Sequence, residues 1–305
     1  MSLNAPVENI RNFSIVFDTN MLYADKKDKS AFSFVPQSEF SNFLEFRESM
    51  NVTAGKLYIP RLCIDEIIHQ KLSLFEKYKK QFQDLSEYFN QTIPELILTK
   101  EQIQNSIECF CQENSIEIIE YPDTLLLHRL KDRVMEQRPP FHHTETHSDY
   151  GFKDVLLWES LLARSLESTG KVILCSKDKI FTDNKLSSEF REYYPSIDIL
   201  VLDDWKKLKE EYVSLQIEII ANANIHSIPL LAFLQNEYIG ITQIIESKLN
   251  ITKIDDWVVR CRTEVIQNGK AVELDYFYDV QNQEYCKEWI KDDKYMEKNT
   301  TARRS

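Results

Sequence analysis

The 305-residue chain is 43% hydrophobic and 28% charged, with five glycines and nine prolines, which supplies a full core and excludes collagen-like or low-complexity architectures. Its opening, MSLNAPVENIRNFSIVF, has neither the basic region nor the long apolar run of a signal peptide, and no window approaches the roughly 20 apolar residues of a membrane span. A net charge of −12 weighs against a nucleic-acid partner, unless carboxylates are gathered to hold cations that in turn attract phosphate.

In chain order, a strand is expected over Ser14–Phe17, running straight into Asp18, Thr19 and Asn20. A helix follows at Ser38–Ser49, then a short strand at Leu57–Ile59 and a long helix from Arg61 to about Phe89, with Pro60 placed for a helix start. Thr99 and Gln102 have the spacing of a capping box for a helix at Lys100–Glu113. Next come a strand at Ile116–Glu120, a helix at Thr124–Glu136 with Asp123 as its N-cap, and a helix at Phe152–Glu167. Strands at Lys171–Cys175 and Ile197–Leu202 complete this part. Such alternation implies right-handed crossovers and a mainly parallel sheet covered by helices, whose ligands sit beyond the carboxyl ends of the strands.

The character changes after about residue 204. Asp204–Asn222 and Pro229–Leu249 are expected to be helical, and DDWVVRCRTEVIQNGKAVELDYFYDV alternates with period two about Asn268-Gly269, the signal of a hairpin. One face would carry Trp257, Val259, Cys261, Thr263 and Val265, the other Val258, Arg260, Arg262 and Glu264. We therefore expect a small α+β domain at residues 204–290 and a polar tail at 291–305. The six cysteines are scattered with no CxxC pair. That usage fits reduced, buried thiols and a cytoplasmic protein without a membrane partner.

Four acids fall at one rim of the expected sheet. Asp18 ends the first strand, Glu66 lies one turn into the long helix, Asp154 opens the helix of YGFKDVLLWESLL, and Asp178 follows the run VILCS. Asp183 lies a few residues further on. Taken singly, each has a local explanation as a helix cap or a complement to a helix dipole. Together they would repel one another and require a cation, and oxygen-only ligands select hard ions such as Mg²⁺ or Mn²⁺.

The stretches IVFDTN (Asp18, Thr19, Asn20), YIPRLCIDEI (Glu66), GFKDVLLW (Asp154) and CSKDKIF (Ser176, Asp178, Phe181) make the chain resemble the PIN-domain nucleases over about residues 12–203. The resemblance implies a three-layer α/β/α domain, here with a helical insertion at about residues 70–115, and a metal-dependent endoribonuclease that hydrolyses RNA phosphodiester bonds. A bacterial toxin or defence role goes with that reading. It further implies that Asp18 and Asp154 hold one Mg²⁺ or Mn²⁺, with Asp178 and Glu66 binding directly, through water, or holding a second ion. Thr19, Asn20, Ser176 and Asp183 would orient this set, and Arg138, Lys153 and His147 are candidates for contact with substrate phosphate. Two alternatives remain open, a nuclease acting on single-stranded DNA or branched structures and a PIN-like interaction module that does not cleave. A homodimer and a regulatory protein partner are both compatible with the sequence. Phosphatases of the haloacid dehalogenase type also begin with a strand ending in Asp, but they need a second Asp two positions later, where this chain has Asn20.

Other clusters admit simpler readings. His142, His143 and His147 follow Pro139 and Pro140, which favours a loop over a helical zinc site. The basic runs at 26–29 and 76–81 read as solvated faces or as phosphate contacts. Trp257, Tyr276, Phe277 and Tyr278 read as hairpin packing before base stacking, and Cys109 and Cys111, two apart on a helix, diverge.

Overall fold

The computed structural model describes residues 13–23, 30–49, 55–90, 92, 95–121, 126–141, 151–163, 170–225, 228–253, 258–279 and 284–287. Asp123, the run at 26–29, His142, His143, His147, Trp257 and the tail lie outside the described residues. The chain divides into two compact units, Met1–Glu211 and Tyr212–Ser305. No helix among the described residues is long and apolar enough to cross a membrane.

The first unit is built on β1 (Phe13–Phe17), β2 (Lys56–Pro60), β3 (Ile116–Ile119), β4 (Lys171–Cys175) and β5 (Asp198–Leu202), arranged in the order β3-β2-β1-β4-β5. Every neighbouring pair is parallel, as expected for strands joined through helices. All five residues of β1 are buried, whereas the edge strand β5 is largely half-exposed. A central strand covered on both faces needs such a continuous apolar run. The strand order reverses direction between β1 and β4. Helices leaving these two strands diverge and open a crevice at their carboxyl ends.

Around the sheet lie α1 (Thr19–Leu22), α2 (Ser38–Ser49), α3 (Arg61–Tyr88), α4 (Lys100–Glu113), α5 (Leu126–Glu136), α6 (Phe152–Ala163) and α7 (Asn184–Tyr193). α8 (Trp205–Ile225) follows β5. Local chemistry sets their starts. Pro60 is the N-cap of α3, and Thr99 and Gln102 close a reciprocal capping box on α4. Phe17 packs edge-on to Phe40 of α2 at 4.9 Å and stacks on Trp205 at 6.0 Å, while Trp158 of α6 meets Phe181 and Phe190. α6 is described through Ala163 and α5 from Leu126; the expected ends at Glu167 and Thr124 lie outside the described residues.

The second unit holds α9 (Ile228–Glu237) and an antiparallel sheet of β6 (Ile241–Lys253), β7 (Val258–Gln267), β8 (Lys270–Asp279) and β9 (Glu284–Cys286) in sequential order. The hairpin turns at Asn268 and Gly269, both with positive φ (51° and 77°), the conformation a two-residue turn demands. Val259, Cys261, Thr263 and Val265 are buried along one face of β7, and Tyr276 and Tyr278 are buried on β8, so these tyrosines are packing residues.

The helix expected over Pro229–Leu249 is corrected. α9 ends at Glu237, Gly240 takes φ +84°, and residues from Ile241 onward pair with β7. A Cβ at Gly240 would stand 2.1 Å from Asn268 Oδ1, and Asn268 N–H donates to the Gly240 carbonyl at 2.9 Å. Strand pairing with β7, reaching 26 residues along the chain at Ile241↔Gln267, outweighs a local apolar spacing that suits either element.

Candidate active site

The crevice between β1 and β4 gathers the residues of interest. Asp18 follows β1 directly, and its backbone N–H donates to the Cys175 carbonyl at 2.9 Å, extending the β1–β4 ladder to the rim. Its side chain, 8% exposed, accepts four donors. Thr19 N–H reaches Oδ1 at 2.6 Å, Ser176 Oγ reaches Oδ2 at 2.6 Å, Asn20 Nδ2 reaches Oδ2 at 2.7 Å, and Cys63 Sγ lies 4.0 Å from Oδ1. Asp18 therefore is the N-cap of α1 and also a member of a larger network. Asn20 in turn accepts from Lys177 N–H at 3.0 Å, tying the turn after β1 to the turn after β4.

Glu66 joins from α3. Its Oε2 accepts a short hydrogen bond from Thr19 Oγ1, and its Oε1 pairs with Lys153 Nζ at 2.9 Å. That contact brings the first turn of α6 to the same rim. Ligand atoms of Asp18, Cys63 and Glu66 lie within 4.8 Å of one another, a grouping of the kind that holds metal ions. Burial pushes the Asp18 carboxyl up to about 6 against the pull of Ser176 and Thr19, and the nearby charges of Glu66 and Asp178 push it further in the same direction.

The four acids do not all enter one tight donor set. Asp178 is half-buried, caps a 3₁₀ turn by accepting from Ile180 N–H at 3.1 Å, and donates its own backbone N–H to Ser176 Oγ at 3.0 Å. It reaches Asp18 through charge and through the shared Ser176. Asp154 is half-buried in the first turn of α6, next to Lys153, and lies outside the 4.8 Å grouping. Asp183 is the N-cap of α7, accepting from Lys185 N–H at 2.8 Å. Arg138 pairs with Glu136 at 2.7 Å and Glu189 at 3.6 Å instead of with any rim acid. His147 lies outside the described residues.

Cys63 was not singled out by the sequence. The signal was available: Cys63 and Glu66 are three apart on a helix whose start is fixed by Pro60, so both face the end of β1. Burial holds the Cys63 thiol well above its ordinary range, with the Asp18 charge adding to the shift. The protonated thiol acts as a weak donor toward Asp18. The acceptors left for a ligand are carboxylate oxygens, with no Lys or Arg paired to Asp18 among the described residues. That donor set fits a hard divalent cation.

A family model described as PIN domain matches residues 15–181, a span that begins at β1 and ends just past Asp178. No curated protein and no solved structure matches the chain.

Proposed function

The chain belongs to the PIN-domain family, a nuclease-like fold that acts on nucleic acid, and from that premise we propose that it is an Mg²⁺- or Mn²⁺-dependent endoribonuclease. We assign the activity to residues 12–203. The observation that carries the reading is Asp18: a carboxylate buried at the β1–β4 switch point, faced by Glu66 and Asp178 and paired with no base among the described residues. A divalent cation bound there would stabilise charge on the phosphoryl and leaving oxygens and lower the pKa of an attacking water.

The chain's own residues have separable tasks in this proposal. Asp18 and Glu66 hold the cation, with Asp154 and Asp178 completing its surroundings directly or through water. Ser176 and Asn20 fix the Asp18 carboxylate, and Thr19 fixes Glu66, so that neither must reorganise on loading. Lys153, exposed and paired to Glu66, places a positive charge at the mouth of the crevice for a substrate phosphate.

The test is cleavage of end-labelled single-stranded RNA, single-stranded DNA and duplexes with Mn²⁺, Mg²⁺ or EDTA, beside Asp18→Asn and Asp154→Asn. RNA cleavage that needs the cation and drops roughly a hundredfold or more in each variant supports the proposal. Cleavage that survives EDTA or both substitutions would sink it. Cleavage of DNA alone moves the substrate class, and cation binding without cleavage of any substrate identifies an interaction module.

A further inference from the structure

α3 changes character along its length. Its residues Ile64, Ile68, Lys71 and Phe75 alternate in steps of four and three and are all buried. The same alternation continues through Tyr78, Phe82, Leu85 and Phe89, and these are 57%, 50%, 55% and 64% exposed. From Glu76 to Phe89 every residue is exposed except the half-buried Lys79 and Ser86. Geometry accounts for this. A helix of 28 residues runs ~42 Å, whereas a five-residue strand such as β2 runs ~17 Å. α3 starts at the acid-bearing rim and Lys71 still meets Ser30 and Tyr23, so the half beyond Phe75 outruns the part of the helix that packs on the first unit.

A solvent-surrounded helix of this length gains little stability of its own, and a seam of aromatic and aliphatic side chains in water is costly. The seam also has a property that names its complement. Pairing the segment antiparallel with itself sets Tyr78 against Phe89 and Phe82 against Leu85, the alternation of layers found in antiparallel coiled coils. Charge agrees with that direction: Glu76, Lys77, Lys79 and Lys80 give the first half a net charge of +2, and Asp84 and Glu87 give the second half −2. An antiparallel pair brings basic half to acidic half, while a parallel pair opposes like charges. With Tyr88 (82% exposed) added, the side chains offer about 1,000 Å² in a symmetric pair, at the lower edge of a specific interface.

We propose that the distal half of α3 is a self-association arm that pairs antiparallel with the same segment of a second copy of this chain. The interface uses none of the residues assigned to the metal site and makes the protein a concentration-dependent dimer.

Sedimentation of the full chain between about 1 and 100 μM tests this, since an interface of that size gives affinities in the micromolar range. A monomer–dimer equilibrium is expected. Phe82→Asp with Leu85→Asp should leave the circular dichroism unchanged and weaken the dimer about a hundredfold or more. Direction is read from charge. Reversing Lys77, Lys79 and Lys80 to Glu should weaken the dimer, and adding Asp84→Lys with Glu87→Lys should restore it. A wild-type monomer at every concentration overturns the proposal, as does a dimer indifferent to Phe82→Asp/Leu85→Asp. Loss of RNA affinity in the lysine variant with unchanged self-association would assign the arm to nucleic acid instead.

Discussion

Two buried carboxylates in the first unit meet opposite circumstances. Glu159 on α6, 1% exposed, is held by Arg133 at 2.6 Å and Arg129 at 2.7 Å. Arg133 also pairs with Glu189 at 2.6 Å and donates to the Pro139 carbonyl, and Trp158 Nε1 donates to Glu189 at 2.8 Å. Asp18, nearly as buried, has hydroxyl, amide and thiol donors and two more acids nearby, with no base paired to it among the described residues. The fold supplies the cation in one place and leaves the demand open in the other. Burying an ion without its counter-ion costs several kcal/mol. On the function proposed above, a site that keeps such a cost is organised for a cation that arrives from solution.

The largest effect should come from turning the first case into the second. Arg133→Met leaves Glu159 and Glu189 short of a partner and should lower unfolding free energy by ~3–5 kcal/mol, read by urea denaturation. Adding Glu159→Gln should recover part of the loss. A variant as stable as the wild type would mean that the network contributes no more than a surface pair.

The reverse operation supplies the missing cation at Asp18. Saturating Mn²⁺ should raise the thermal transition, the gain in unfolding free energy reaching ~2.7 kcal/mol at a hundredfold excess over Kd. Asp18→Asn should abolish that rise, while the cation-free variant should be no less stable than the cation-free wild type, since it lacks the buried charge. A variant that still responds to Mn²⁺ would move the site away from Asp18.

How far the sequence revealed this contrast depends on the range of the interactions. The strands of the parallel sheet, the start of α3 at Pro60, the Thr99–Gln102 box and the Asn268-Gly269 turn were legible because each is fixed by residues within a few positions. The four acids could be placed at one rim because strand ends of a parallel sheet share that rim. Their finer arrangement could not be read. Nothing local shows that Asp154 stands outside the tight grouping, whereas the Asp183 cap of α7 and the shared helix face of Cys63 and Glu66 are local signals. The Arg133 network joins positions 26 and 56 residues apart, and β6 is a strand because of β7. Sequence periodicity carries none of that long-range pairing.

A third carboxylate marks the weak end of the scale. In the second unit Asp275 on β8 accepts from Arg260 and from Arg262, the latter at 2.8 Å. Both arginines are exposed on the outer face of β7. Hydrogen bonds from Arg262 and then Arg260 hold its carboxyl down at about 2, below the ~3.9 of an unfolded chain. A folded-state pKa depressed in this way gives stability that is present above pH ~4 and is lost as pH falls toward 2. Its side chain is 34% exposed, so solvent screens the pair and the contribution should be only a few tenths of a kcal/mol. Asp275→Asn should therefore shift the urea midpoint slightly at pH 7, and the gap to the wild type should close between about pH 4 and 2. A loss as large as that of Arg133→Met would show that exposure does not separate the two pairs, and the reading of Asp18 as a charge demand set by burial would lose its basis.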